Sequence, residues 1–242
     1  MVYLSSRAGK RHQQSEDAVL VGSDFLNDTT KELQLPASGF VCVADGVGGN
    51  AGGAQASKFV LCAAAEYDPC KKDQDLRSFL ISVNEDLIQY AAQDGQSANM
   101  ATTLTGFLFS DTAITLLHVG NTRAYIKQGK YLKQITSDHT TYNWLVSNGQ
   151  LEAADQCNRS EITSCFGGGR SELLSKLFIA EYPAFSVALL TSDGIHDFVN
   201  IDTLEDILNN DEPYPDKCES IITQAISSGS EDDLTVVIIS NE

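Results

Sequence analysis

A chain of 242 residues with 42% hydrophobic and 20% charged side chains is too apolar for disorder, and at this length should bury roughly 70–75% of its unfolded surface. Its formal net charge of −17 opposes binding to nucleic acid or to anionic membrane, and leaves two readings of the acidity: solubility, or carboxylates gathered around hard cations. The six cysteines (Cys42, Cys62, Cys70, Cys157, Cys165 and Cys218) stand far apart without a C-x-x-C pair, which argues for free thiols against a zinc site or a disulfide framework.

Met1 to Lys10 carry no apolar leader, and nowhere do about 18 apolar residues follow one another; a soluble, cytoplasmic protein is the expectation. Short apolar runs flanked by Gly, Asp, Asn or Ser predict buried strands. The first is Ala18–Val21, preceded by Glu16-Asp17; the second, Phe40–Ala44, runs into Asp45-Gly46-Val47-Gly48-Gly49. Helical spacing of Ala56, Phe59, Val60 and Ala63 predicts a helix over Ala54–Tyr67. Leu76, Phe79, Leu80, Val83, Leu87 and Tyr90 predict another over Leu76–Ala91, and both stripes read as core. Strands follow at Thr103–Phe109, Ile114–Val119, Ala124–Ile126 and Tyr131–Ile135, the last two joined by a turn over Lys127-Gln128-Gly129-Lys130.

Tyr142–Ser160 is polar with apolar anchors at Trp144, Leu145, Val146 and Leu151. Beyond it, the strand Val187–Thr191 runs through Ser192 into Asp193-Gly194. Helices near Thr203–Leu208 and Lys217–Ile226 precede the acidic group Glu231-Asp232-Asp233 and a last strand, Leu234–Ile239. No linker, repeat or composition break divides residues 1–242, so one domain is expected. Strands in runs, instead of strict alternation with helices, favour an α+β layered domain over a doubly wound parallel sheet.

The chemistry lies where the strands end. Four acidic sites abut four apolar strands: Glu16-Asp17, Asp45, Asp193 and Asp232-Asp233. If those strands are neighbours, the carboxylates meet at one edge, and oxygen-only donors suit magnesium or manganese better than zinc or copper. Each aspartate alone is better read as a turn residue, since Asp-Gly is good turn chemistry. Only the ordered set tips the balance.

That set resembles the type 2C, metal-dependent protein phosphatase family of bacterial single-domain type, along essentially the whole chain. Glu16-Asp17-Ala18 is similar to its opening acidic motif and Asp45-Gly46-Val47-Gly48-Gly49 to its metal-bridging motif. Ala101-Thr102-Thr103-Leu104, His118-Val119-Gly120-Asn121-Thr122-Arg123-Ala124-Tyr125 and Thr136-Ser137-Asp138-His139-Thr140 follow in the family's order. Thr191-Ser192-Asp193-Gly194-Ile195 and Asp232-Asp233-Leu234-Thr235 complete it.

The resemblance implies a four-layer α-β-β-α sandwich of two mainly antiparallel sheets flanked by helix pairs. It implies two divalent cations, Mn2+ or Mg2+, with Asp45 bridging both, the Gly46 carbonyl on the second, and Asp193 and Asp232 on the first. Glu16 and Asp17 would act through metal-bound water. Asp232 is preferred to Asp233 because Asp233 stands where the family has Asn. The activity implied is hydrolysis of phosphoserine and phosphothreonine by hydroxide held between the cations. Phosphoprotein substrates, an opposing serine/threonine kinase and a monomer without nucleic-acid or membrane partners complete the expectation. Tyr142–Ser160 corresponds to the family's flap, read either as a surface excursion or as a substrate-gating lid.

Three departures qualify the match. The family's phosphate-gripping arginine falls on His12, with Arg11 one residue earlier, so Arg11 and His12 are both candidates for the substrate phosphate. Asn121 replaces an aspartate associated with a third metal, which predicts weak or absent third-metal binding. Val47 replaces a histidine of eukaryotic members, leaving water to protonate the departing oxygen. His118 reads as a hydrogen-bonded core residue, His139 as a structural residue near the flap, and His196 as close to the site without a family role. Two other functions remain open: a catalytically weakened regulatory binding module, and a hydrolase of small phosphate esters.

Overall fold

The computed structural model describes residues 1–47, 52–71, 74–94 and 99–241; Gly48 and Gly49 of the glycine-rich turn lie outside the described residues. Two six-stranded sheets form its centre. One runs in spatial order Tyr131–Gln134, Arg123–Gln128, Val187–Thr191, Leu234–Ser240, Val2–Arg7 and Thr30–Leu33. The other runs Phe178–Tyr182, Ile114–Val119, Leu104–Phe109, Gly39–Ala44, Ala18–Val21 and Asp24–Leu26. Neighbouring strands pair antiparallel in both.

The sheets pack face to face through Val41, Val43, Phe107 and Val19 on one side and Leu4, Ile126, Leu190 and Val237 on the other. Period-2 alternation sends the intervening residues outward. Phe40, Cys42 and Ala44 therefore meet the helices Gly52–Ala65 and Leu76–Asp94 through Ala56, Val60, Leu80 and Leu87. Leu189, Val236 and Ile238 meet Ile201–Asn209 and Tyr214–Ser227 through Leu204, Leu208, Ile221 and Ile222. The result is the four-layer α-β-β-α sandwich expected. A sheet covered on both faces needs apolar side chains at every position, which is why its central strands read as unbroken apolar runs.

Strands that were not expected include Val2–Arg7, Asp24–Leu26, Thr30–Leu33, Gly46–Val47, Phe166–Gly167 and Phe178–Tyr182. Thr30–Leu33, Asp24–Leu26 and Phe178–Tyr182 are sheet edges with exposed polar positions, so they lack the buried-strand signature. The expected hairpin is tighter than its four residues, because Gln128 pairs with Tyr131 and Gly129 takes a φ of +62°. Among the described residues no helix is long and apolar enough to cross a membrane.

Register puts the acidic segments at one end of the sandwich. Ala18 pairs with Ala44, so Asp17 before one strand and Asp45 after its neighbour emerge side by side. In the facing sheet Thr191 pairs with Val236, which brings Asp193 beyond one strand to the level of Asp232 and Asp233 before the other.

Candidate metal centre

Asp45 is held by its backbone. Its N–H donates to Thr103 Oγ1 at 2.9 Å, and its carbonyl accepts from Thr103 N and Thr102 Oγ1, both at 2.9 Å. A small ladder continues the restraint, with Gly46 paired to Thr102 and Val47 to Ala101. Gly46 N also donates to the Glu16 carbonyl at 3.2 Å. The glycine is needed there: a Cβ on Gly46 would lie 2.4 Å from the Gly53 carbonyl carbon, where the first helix begins.

Asp193 opens the short helix Asp193–His196, and Asn121 Nδ2 donates to its Oδ2 at 2.9 Å. Gly194 lets the Asp232-Asp233 segment close over it, since a Cβ there would meet the Asp233 carbonyl oxygen at 2.0 Å and the Asp232 Cβ at 3.3 Å. Gly9 plays the same part from the opposite side, its would-be Cβ 2.3 Å from the Asp232 carbonyl. Sequence reading missed Gly9, because nothing local marks it.

Asp232 and Asp233 divide their tasks. Asp233 is buried, and its carboxylate accepts from Gly9 N at 2.8 Å, Glu16 N at 2.6 Å and His12 Nδ1 at 3.0 Å. It is committed to tying two loops together. Asp232 is more open, with Arg11 Nη1 3.8 Å from its Oδ2, so its carboxylate is the one available to a ligand.

The electrostatics mark the same place. Burial, followed by the charges of Asp17, Asp193, Asp232 and Asp233, pushes the Asp45 carboxyl well above the usual carboxylate range. Burial and then Asp233 raise Asp17 to about 8, against the pull of the Ser192 and Thr235 hydroxyls. Burial and the neighbouring Asp232 and Asp197 raise Asp193 to about 6. Glu16 is raised too, mainly by burial. Carboxylates that repel one another in a shielded place are what a cation site requires. Two buried acceptors point the same way: Asp17 Oδ2 and Asn121 Oδ1 have no hydrogen-bond partner among the described residues. The donors thus fit hard cations, although among the described residues no three His, Cys, Asp or Glu side chains close around one point.

The candidate phosphate groups lie at the rim. Arg11 is largely exposed, whereas the His12 ring is three-quarters covered between Asp233 and Glu16. The other histidines are occupied elsewhere. His118 meets Thr105 Oγ1 at 2.8 Å and donates from Nε2 to the Ser137 carbonyl at 2.9 Å, as a core residue should. His139 Nδ1 accepts from Gly120 N at 3.1 Å, and burial followed by His118 depresses its pKa to about 3. His196 is buried against Thr191 Oγ1 at 2.8 Å.

Beside Asn121 a cleft of about 280 Å3 separates the centre from residues 142–160. Arg123, clamped on Asp138 through Nε at 3.0 Å and Nη2 at 2.6 Å, forms its floor, and Tyr142 and Arg159 line its outer wall. The segment folds as Thr141–Ser147 and Leu151–Gln156, the first capped by Thr140. Of its four expected apolar anchors only Leu145 is buried; Trp144, Val146 and Leu151 are exposed, and Ala154 supplies the second contact. The segment is too short and thin to cover a wider stripe.

The chain is similar to known phosphatases. Residues 20–224 match the family model described as protein phosphatase 2C. The serine/threonine phosphatase Stp of Listeria monocytogenes is 28% identical over 217 residues, 84% of each chain. The serine/threonine protein phosphatase PstP of Mycobacterium tuberculosis is 32% identical over 93% of this chain, which spans 41% of that longer protein. The solved catalytic domain of PstP, in complex with two manganese ions, superposes with a TM-score of 0.73 at 25% identity, covering 98% of both chains.

Proposed function

Because the chain belongs to the protein phosphatase 2C family, we propose that it hydrolyses phosphoserine and phosphothreonine in proteins with two divalent cations, Mn2+ or Mg2+, held where Asp45, Asp193 and Asp232 meet. The observation that carries this reading is the meeting of acidic groups from three other segments, Asp17, Asp193 and Asp232-Asp233, with Asp45 at one end of the sandwich.

Bound there, the cations would neutralise the phosphate dianion and make a water molecule acidic enough to attack phosphorus. Asp45, whose backbone Thr102 and Thr103 fix, would hold both, and the Gly46 carbonyl would serve the second. Asp193 and Asp232 would complete the first, while Glu16 and Asp17 would act through water. Arg11, the more exposed of the two rim candidates, would orient the phosphate. No imidazole stands at Val47 to give the leaving oxygen a proton, so solvent supplies it. Asn121 offers an amide where a carboxylate would strengthen a third site, so third-metal binding is weak. Residues 142–160 gate the cleft over Arg123. The whole of 1–242 acts as one catalytic unit, a cytoplasmic monomer opposing a serine/threonine kinase, without nucleic-acid or membrane partners.

A catalytically weakened binding module has less support, since the relatives that span the chain are named phosphatases and the acidic positions proposed for the two cations are all filled, Asn121 being the one loss, at the third. The deciding experiment compares a phosphothreonine peptide, a generic aryl phosphate and nucleotides with Mn2+ and with chelator. Metal-dependent turnover favouring the peptide supports the proposal; turnover confined to nucleotides would replace it with a small-ester hydrolase.

A further inference from the structure

We propose that His12 is a nitrogen ligand to the cation served by Gly46 and Glu16, so that the centre is a mixed nitrogen and oxygen site; the inference rests on the two-cation reading above.

The ring is oriented for it. His12 Nδ1 lies 3.0 Å from Asp233 Oδ2, and because an ionised carboxylate only accepts, Nδ1 carries the proton. Nε2 is thereby turned to the other side, 4.0 Å from Glu16 Oε2. A carboxylate bonded to one ring nitrogen, with the other facing a donor cluster, is the usual support of a metal-bound histidine. Asp233 is itself immobilised by Gly9 N and Glu16 N, so the ring stands on a fixed base.

The opposite wall is fixed as well. Gly53 packs so closely on the Glu16 carboxylate that a Cβ would come within 2.5 Å of Oε2. The Gly46 peptide lies alongside, its N–H on the Glu16 carbonyl. At the observed 4.0 Å separation a water on an ion bound to Nε2 would lie within hydrogen-bond reach of Glu16 Oε2, in keeping with Glu16 acting through water. The remaining three histidines hydrogen-bond to Thr105 and Ser137, Gly120, and Thr191, and none of these contacts belongs to the acidic cluster.

A nitrogen donor shifts preference away from Mg2+ and toward Mn2+, Co2+ and Zn2+. Pulsed EPR of the Mn2+-loaded protein tests the bond without reference to turnover. The expected result is nitrogen-14 modulation in the wild type, which changes to the nitrogen-15 pattern when histidine is labelled and disappears in His12→Gln. The same variant should bind Mn2+ about tenfold or more weakly, with Mg2+ changed less than about threefold. Asp233→Asn keeps one acceptor oxygen and should weaken both the modulation and Mn2+ binding. Two bound Mn2+ ions without nitrogen coupling in the wild type, or coupling that survives in folded His12→Gln, overturns the inference alone. Failure of the wild type to bind Mn2+ at all overturns the two-cation reading with it.

Discussion

Asn121 donates from Nδ2 to Asp193 Oδ2 at 2.9 Å, while its own Oδ1, buried, faces no hydrogen-bond partner among the described residues. The amide is therefore both a clamp on a proposed metal ligand and a spare acceptor on a residue that also lines the flap-side cleft.

Replacing it with aspartate separates those roles. Asn121→Asp loses a hydrogen bond to a charged group, worth about 1.5–3 kcal/mol, and sets two carboxylates against each other. Metal-free Asn121→Asp should melt several degrees below the wild type in calorimetry. With Mn2+ added the order should narrow, and titration should reveal an additional ion that the wild type binds poorly. Equal stoichiometry in both proteins would refute the account of the weak third site.

Asp45→Ala should abolish turnover, by about a thousandfold or more, while leaving the fold intact. Its carboxyl is raised by burial and by four acidic neighbours, so its removal relieves the metal-free protein of repulsion. The variant should melt at or above the wild-type temperature in chelator and lose the stabilisation that Mn2+ gives. Near-normal kcat in that protein would dismiss the proposed centre.

How much of this was legible from sequence depends on how local the cause is. Asp45 and Asp193 could be read because a carboxylate leaving an apolar strand into glycine is visible within ten residues. The core strands were visible because helices and a second sheet force every position to be apolar. Val2–Arg7 escaped because Ser5, Ser6 and Arg7 break its run, although Ser5 is buried on Glu219 and Ser6 on Thr235. The task of Asp233 was invisible for a different reason. It is an acceptor for Gly9, His12 and Glu16, more than 200 residues away, and only the closed chain brings them to it. The resemblance favours Asp232 over Asp233 as the ligand, and the contacts leave Asp232 the more exposed of the two.

Proton uptake follows from the same cluster. Asp17 is ordinary when unfolded, near 3.8, but titrates at about 8 in the folded metal-free protein, and Asp193 at about 6. Between about pH 4 and pH 8 the folded state thus holds more protons than the unfolded one, and stability must fall as pH rises through that window. The contribution is fully present below pH 4 and lost by pH 8. Mn2+ should reverse the trend, because binding expels those protons and affinity rises with pH. Calorimetry in chelator and in Mn2+ across pH 5 to 8 checks the sign. Titrations in buffers of different ionisation enthalpy should count protons released per ion. A metal-free melting temperature that climbs with pH across the window would contradict the placement of these carboxyls.

Gly53→Ala probes the centre from the helix side without touching a charged group. The added Cβ would sit 2.5 Å from Glu16 Oε2 and 2.9 Å from the Gly46 carbonyl carbon, so Glu16 or the bridging loop has to give way. Overpacking of this kind costs about 1–3 kcal/mol, and here part of it falls on groups proposed to serve the metal. Gly129→Ala is the matched control, in the hairpin turn at φ +62° with nothing within 4 Å of its Cβ. That substitution meets only backbone strain, about 1 kcal/mol, far from the acidic cluster. Both variants should lose a few degrees of melting temperature in chelator. Only Gly53→Ala should also need several-fold more Mn2+ for half-maximal activity, because a shifted Glu16 no longer faces the second cation. Equal Mn2+ requirements in the two variants would mean that Glu16 stands outside the centre.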